Sequence, residues 1–93
     1  MTIKEVQEIG PKLQSLMDEQ DVSDETIYYA EYDSAIMGIT TKGQIVYDVD
    51  ECIDVLVSTQ NMGYEDATEY FWFNTESAYV GEMTPIFIWR RCE

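Results

Sequence analysis

The chain of 93 residues contains no histidine and only five basic residues, against nineteen aspartates and glutamates. Without histidine it lacks the side chain most often used for acid–base catalysis and metal ligation near neutral pH. The shortage of Lys and Arg excludes direct binding of nucleic acid through its phosphates, which needs a basic footprint. With two prolines and five glycines, the chain has no Pro/Gly-rich linker or low-complexity tract. No apolar run approaches the roughly 18–20 residues of a membrane-spanning helix, so no membrane contact is expected. The longest, Pro85-Ile86-Phe87-Ile88-Trp89, has the length of a strand. The opening MTIKEVQEIGPKLQ lacks the apolar centre and small-residue cleavage site of a signal peptide, so the expected location is the cytoplasm. Cys52 and Cys92 form no CxxC pair and are expected to be reduced thiols.

What the chain does have is apolar and aromatic content, 45% and 13% of its residues, which separates it from acidic disordered tails. The length suits one domain spanning residues 1–93. The net charge of −14 is well beyond the magnitude of about 2–8 that solubility alone asks of a small domain.

Thr2-Ile3-Lys4-Glu5 has capping-box spacing, and Ile3, Val6, Ile9, Leu13, Leu16 and Met17 follow at helical intervals. Gly10-Pro11 interrupts them, which predicts a kink or a second helix starting at Pro11. Residues 18–25 hold five acids and read as an exposed loop. Residues 26–32, rich in β-branched and aromatic side chains, read as a strand, followed by strands at 35–40 and 44–48 with a turn at Lys42-Gly43. Ile45 and Tyr47 should share a face. A helix then starts near Asp48 or Asp50, with Val49, Cys52, Ile53, Leu56 and Val57 as its buried stripe and Gly63 as its stop. A second runs from about Glu65 to Asn74 or beyond, with Ala67, Tyr70, Phe71, Asn74 and Ala78 inward, and Gly81 breaks it. Residues 86–90 form the last strand, expected to be buried on both faces. The expected fold is α+β: helices packed on an antiparallel sheet made of a three-stranded meander plus a C-terminal strand, in the order α-β-β-β-α-α-β.

No residue pattern points to catalysis or to a cofactor, and neither is expected. The acids from Asp48 onward imitate an EF-hand loop, but position six is Ile53 rather than glycine and position twelve is Thr59 rather than glutamate. Helix capping by Asp48 accounts for them better, and no metal ligand is assigned. The serines sit in no nucleophile context, and Cys52 occupies a buried helical position.

The charge is unevenly placed. Residues 43–89 contain nine acids and no base. Asp50 and Asp54 lie one helical turn apart, as do Glu65 and Glu69, and like charges at that spacing repel by a few tenths of a kcal/mol. Fourteen charges equal those on about 24 Å of duplex DNA, and a globule of this length is about 30 Å across. Gathered on one side, the acids would suit a basic nucleic-acid-binding surface; spread evenly, they merely solvate the domain. Tyr70-Phe71-Trp72-Phe73 cannot all face one core from a helix. Trp72 or Phe73 is therefore either an exposed anchor or part of a small second core under the last strand.

From Gly43 onward the sequence reads Gly43-Gln44-Ile45-Val46-Tyr47-Asp48, Gly63-Tyr64-Glu65-Asp66-Ala67 and Glu69-Tyr70-Phe71-Trp72-Phe73-Asn74-Thr75. It closes with Ala78-Tyr79-Val80-Gly81-Glu82 and Thr84-Pro85-Ile86-Phe87-Ile88. Over about its last 50 residues it resembles a group of small proteins of tailed phages and prophages. That resemblance implies a viral origin and carries no catalytic residues. Small acidic phage proteins include anti-CRISPR proteins and other DNA-mimicking inhibitors of host defence, which is an analogy of class. The expected function is inhibition of a host nucleic-acid-binding machine, a CRISPR effector first, inside the bacterial cell. Asp50, Asp54, Glu65, Asp66 and Glu69 would supply the contact, with Trp72 or Phe73 as an apolar anchor. The alternative is a phage accessory or structural protein that self-associates, and a homodimer is compatible with either.

Overall fold

The computed structural model describes residues 2–76, 81 and 83–89. Ile3–Glu5 form one 3-10 turn, and the Glu5 carboxylate accepts the Thr2 backbone N–H at 2.9 Å, the reach-back expected of a capping box. Helix α1 (Pro11–Glu19) starts afresh at Pro11. A single bridge joins Thr2 to Ile27, and a 3-10 segment covers Ala30–Ala35. Strands β1 (Ile36–Ile39) and β2 (Ile45–Asp48) pair antiparallel. Helices α2 (Val49–Thr59) and α3 (Tyr64–Phe71) follow, then a π-helical stretch (Trp72–Glu76) and strand β3 (Ile86–Ile88). The sheet order is β1-β2-β3, and β3 runs parallel to β2.

The fold is thus α+β, but its sheet is mixed rather than antiparallel. Two helices lie between β2 and β3, and such a crossover brings the chain back to the end of the sheet where it started, so the new strand runs the same way. The expected strand at 26–32 is likewise corrected. Its tyrosines are spent on burial and side-chain hydrogen bonds instead of a ladder: the Tyr29 N–H donates to the Tyr47 hydroxyl at 2.9 Å, and Tyr28 and Tyr32 are fully buried. Strand propensity here reported half-buried aromatic surface rather than an extended pairing segment.

The other turns follow from local chemistry. Gly43, at φ +94°, closes the β1–β2 loop, with its N–H bonded to Thr40 O at 3.0 Å. Asp48 caps α2 by accepting the Asp50 N–H at 3.0 Å. Helix α2 stops before Asn61, whose φ of +54° reverses the chain, while Gly63 is the N-cap of α3 and not the stop of α2. Val49, Cys52, Ile53 and Leu56 are buried as their spacing predicted, with Val57 packed against them.

The core lies between the helices and one sheet face. Ile45 and Tyr47 point into it together, joined by Leu13, Ile53, Phe71 and the tyrosines. Tyr47 stacks on Phe87 at 5.4 Å between ring centroids, and Phe71 meets Phe87 edge-on at 5.2 Å. Tyr70 faces solvent, not the core, and Asn74 is also exposed. Strand β3 buries neither face fully: Ile86 and Ile88 are exposed and Phe87 is half-buried, because helices cover only one side of the sheet. Ala78 of the expected stripe, Arg90 of the expected strand, and Cys92 lie outside the described residues.

Asp33 ties the start of α1 to the segment that precedes β1. The N-cap of α1 is Gly10, which has no side chain to offer, and the Asp33 carboxylate takes that place from a distance. It accepts the Lys12 N–H at 3.0 Å, the Leu13 N–H at 3.1 Å and the Tyr28 hydroxyl at 2.9 Å. The Tyr28 hydroxyl in turn accepts the Gly10 N–H at 3.1 Å. A Cβ at position 10 would collide with the carboxylate itself. Asp33→Ala should therefore cost about 2–4 kcal/mol, and Gly10→Ala about 1–3 kcal/mol, both read from urea unfolding midpoints. An Asp33→Ala variant as stable as the parent would show that the network contributes nothing.

Candidate functional site

Asp50 and Asp54 project from the side of α2 opposite its buried stripe, and both are exposed. On α3, Ala67 and Phe71 point inward, which turns Glu65, Asp66 and Glu69 to solvent. All five acids singled out in the sequence are surface groups. Among the described residues the one ion pair is Lys4 with Glu25, at 3.1 Å, and both partners are exposed. Among the described residues, none of the five carboxylates on α2 and α3 is paired with a cation. The remaining acids of residues 43–89 are placed differently: Asp48 is buried as a cap, Glu51 is half-buried, and the side chains of Glu76 and Glu82 lie outside the described residues.

Position along each helix separates these acids physically. Asp50 opens α2, and Glu65 and Asp66 open α3, where the positive end of the helix dipole stabilises negative charge. Asp54 sits in mid-helix and gains little from it. Glu69 also lies inside a helical run, because the chain stays helical from α3 into the π-helical stretch Trp72–Glu76, and the dipole gives it little. Exposed acids also occupy the N-terminal half, at Asp18, Glu19, Asp21, Asp24 and Glu25 among others. The negative surface thus extends beyond α2 and α3.

The aromatic run divides as helix geometry requires. Phe71 is fully buried, Phe73 is 77% exposed, and Trp72 is partly exposed. Trp72 lies edge-on to Phe71 at 5.7 Å and 6.3 Å from Trp89, so it joins the helix end to the end of β3. Of the two proposed anchors, Phe73 is the more exposed ring and Trp72 is half structural. Sequence reasoning missed Tyr64. It is the first residue of α3, off the buried stripe, and its large ring is 58% exposed. Its place directly after the capping Gly63 was the available signal.

Two of the surface depressions border the acids of α2 and α3. One, of about 440 Å³, opens between the start of α1, the start of β1 and the first turn of α2, with Lys12, Ser34, Met37, Asp48 and Glu51 on its walls. The other, of about 270 Å³, lies on α3 and is lined by Tyr64, Glu65, Thr68 and Glu69. Among the described residues no group of three or more His, Cys, Asp or Glu side chains is arranged to hold a metal ion. No described helix is long and apolar enough to cross a membrane.

Cys52 is inert in the folded state. Burial pushes its thiol up to about 12, and the Asp48 charge adds to the shift, so at pH 8 only about one molecule in ten thousand carries the thiolate. Burial likewise raises Tyr28 to about 12 and moves Tyr47 and Tyr29 upward. No protein-family model matches the chain, and neither the curated proteins nor the solved structures contain one similar to it beyond chance.

These shifts fix a sign. Cys52 and Tyr28 have ordinary values of 9.0 and 10.0 and hold their protons to about 12 when folded. Above pH 9 the unfolded chain loses protons that the native chain keeps, so stability falls as pH rises through that window. Urea midpoints measured from pH 8 to 11 should fall steadily. In a Cys92→Ser variant, Cys52 should resist a thiol reagent at pH 8 and react fully in denaturant; rapid native labelling would contradict its burial.

Proposed function

We propose that this protein is a phage-encoded inhibitor that binds a host nucleic-acid-binding defence machine, a CRISPR effector as first choice, by presenting carboxylates in place of DNA phosphates. The observation that carries the reading is the set of exposed acids on α2 and α3, none of which is paired with a cation among the described residues. Repulsion within the Asp50/Asp54 and Glu65/Glu69 pairs is a cost to folding that interleaved bases would have removed. The dimensions support it as well. The domain measures 37 × 32 × 23 Å, and 37 Å of duplex would carry about 22 charges against the −14 of this chain. A basic groove that holds DNA would meet a body longer than a 30 Å sphere and of somewhat lower charge density. Association would be fast and steeply salt-dependent, and occlusion of the groove would be the inhibitory step. Phe73 offers an apolar contact beside the acids.

Self-association is the second reading, favoured by one feature: β3 is an edge strand of the sheet that leaves Ile86 and Ile88 exposed. The charge of −14 on each copy works against it.

Reversing Glu65 and Glu69 to lysine should abolish capture of the target and leave the chain folded, with the unfolding midpoint slightly lowered because the positive end of the α3 dipole loses Glu65. Binding by the parent should weaken at least tenfold as salt rises from about 50 to about 200 mM. A charge-reversed variant that still binds would overturn the acidic-surface reading. Sedimentation equilibrium separates the alternative: a stable dimer lost in Ile86→Lys/Ile88→Lys would favour self-association.

A further inference from the structure

We infer that the depression on α3 is a seat for an arginine side chain of the partner, with the Tyr64 ring as its stacking face and Glu65 and Glu69 as its carboxylates. The inference rests on the acidic-surface reading and specifies which cation that surface takes. Four side chains line the depression, and they are chemically matched to a guanidinium. Tyr64 presents an aromatic face, 58% exposed, at a position where helix formation alone asks for no ring. Glu65 and Glu69 are one turn apart on the same side of the helix, so two carboxylates border the ring. The Thr68 hydroxyl donates to Tyr64 O at 2.8 Å, which spends its proton and leaves it able to act only as an acceptor toward a ligand. Among the described residues no cation is paired with its carboxylates. The volume of about 270 Å³ admits one long side chain and its water.

Arginine fits these features better than lysine. Its planar guanidinium stacks on an aromatic face while its edge forms paired hydrogen bonds to carboxylate, and it is more weakly hydrated than an ammonium. Lysine would satisfy the carboxylates as a point charge and gain little from the ring. Arginine is also the side chain by which proteins most often grip phosphate in two-point fashion, so a surface that replaces phosphates would meet it there. Charge complementarity argues against a second copy of this chain as occupant, because the described surface around the seat is acidic throughout.

Calorimetric titration with blocked hexa-arginine and hexa-lysine peptides at about 150 mM salt tests this directly. The parent should bind hexa-arginine about fivefold more tightly than hexa-lysine. Tyr64→Ala should bring the two peptides to parity at an unchanged unfolding midpoint, and Tyr64→Phe should keep the preference. Glu65→Gln/Glu69→Gln should weaken both. Equal affinities in the parent, or a preference that survives Tyr64→Ala, would overturn the arginine seat. If those equal affinities still fall with salt and with the Gln pair, the acidic-surface reading stands without it. Affinities indifferent to both overturn the two together.

Discussion

The carboxylate of Asp33 is the constraint on which the rest of the structure depends. A helix beginning Gly10-Pro11 has no capping side chain of its own, and Lys12 and Leu13 present backbone donors that must be satisfied. Asp33 satisfies them from twenty residues away and binds the Tyr28 hydroxyl at the same time. To reach that position the chain must leave an extended course after Tyr29 and turn through the 3-10 segment at Ala30–Ala35. That turn sets where β1 starts and presses Tyr32 into the aromatic core against Tyr47 and Phe71. The absence of a Cβ at Gly10 is what lets the carboxylate approach.

The acids therefore divide into two populations with different physics. Asp33 and Asp48 are buried, and each accepts backbone N–H groups at a helix start, so their charge is used in folding. Of the exposed acids on α2 and α3, Asp50, Glu65 and Asp66 gain only the favourable end of a helix dipole, and Asp54 and Glu69 gain little of that. A small domain has a thin stability margin, and self-repulsion narrows it. A sheet only three strands wide with helices on one side leaves little surplus burial to offset it. At Glu69, with Glu65 one turn away and Tyr64 beside both, surface charge opposes folding through like-charge repulsion. That is also where the proposed contact lies.

Much of this was legible in the sequence. Helical spacing identified the buried stripe of α2, the turn at Gly43, the restart at Pro11 and the cap at Asp48, because each depends on residues within a few positions of one another. The same reasoning placed Asp50, Asp54, Glu65, Asp66 and Glu69 on the surface, since the apolar stripe fixes the opposite face. It failed at residues 26–32, where aromatic content imitated a strand, and at Tyr70, where the stripe includes one aromatic fewer than spacing allowed. It also failed for β3. A short apolar run looks the same whether one face or both are covered, and its direction depends on what the intervening helices do.

By itself, then, the sequence determined the α+β class, the main helices, and the excess of charge carried by a segment with no base. Local periodicity and capping chemistry are written in neighbouring residues and need no partner. Only the tertiary structure decided that Asp33 caps a helix it does not belong to, that β3 lies parallel to β2, and that Tyr64, Thr68 and two glutamates enclose one depression. Those facts concern groups brought together by packing across the chain, or outward-facing groups whose shared surface exists only once the inward ones are buried.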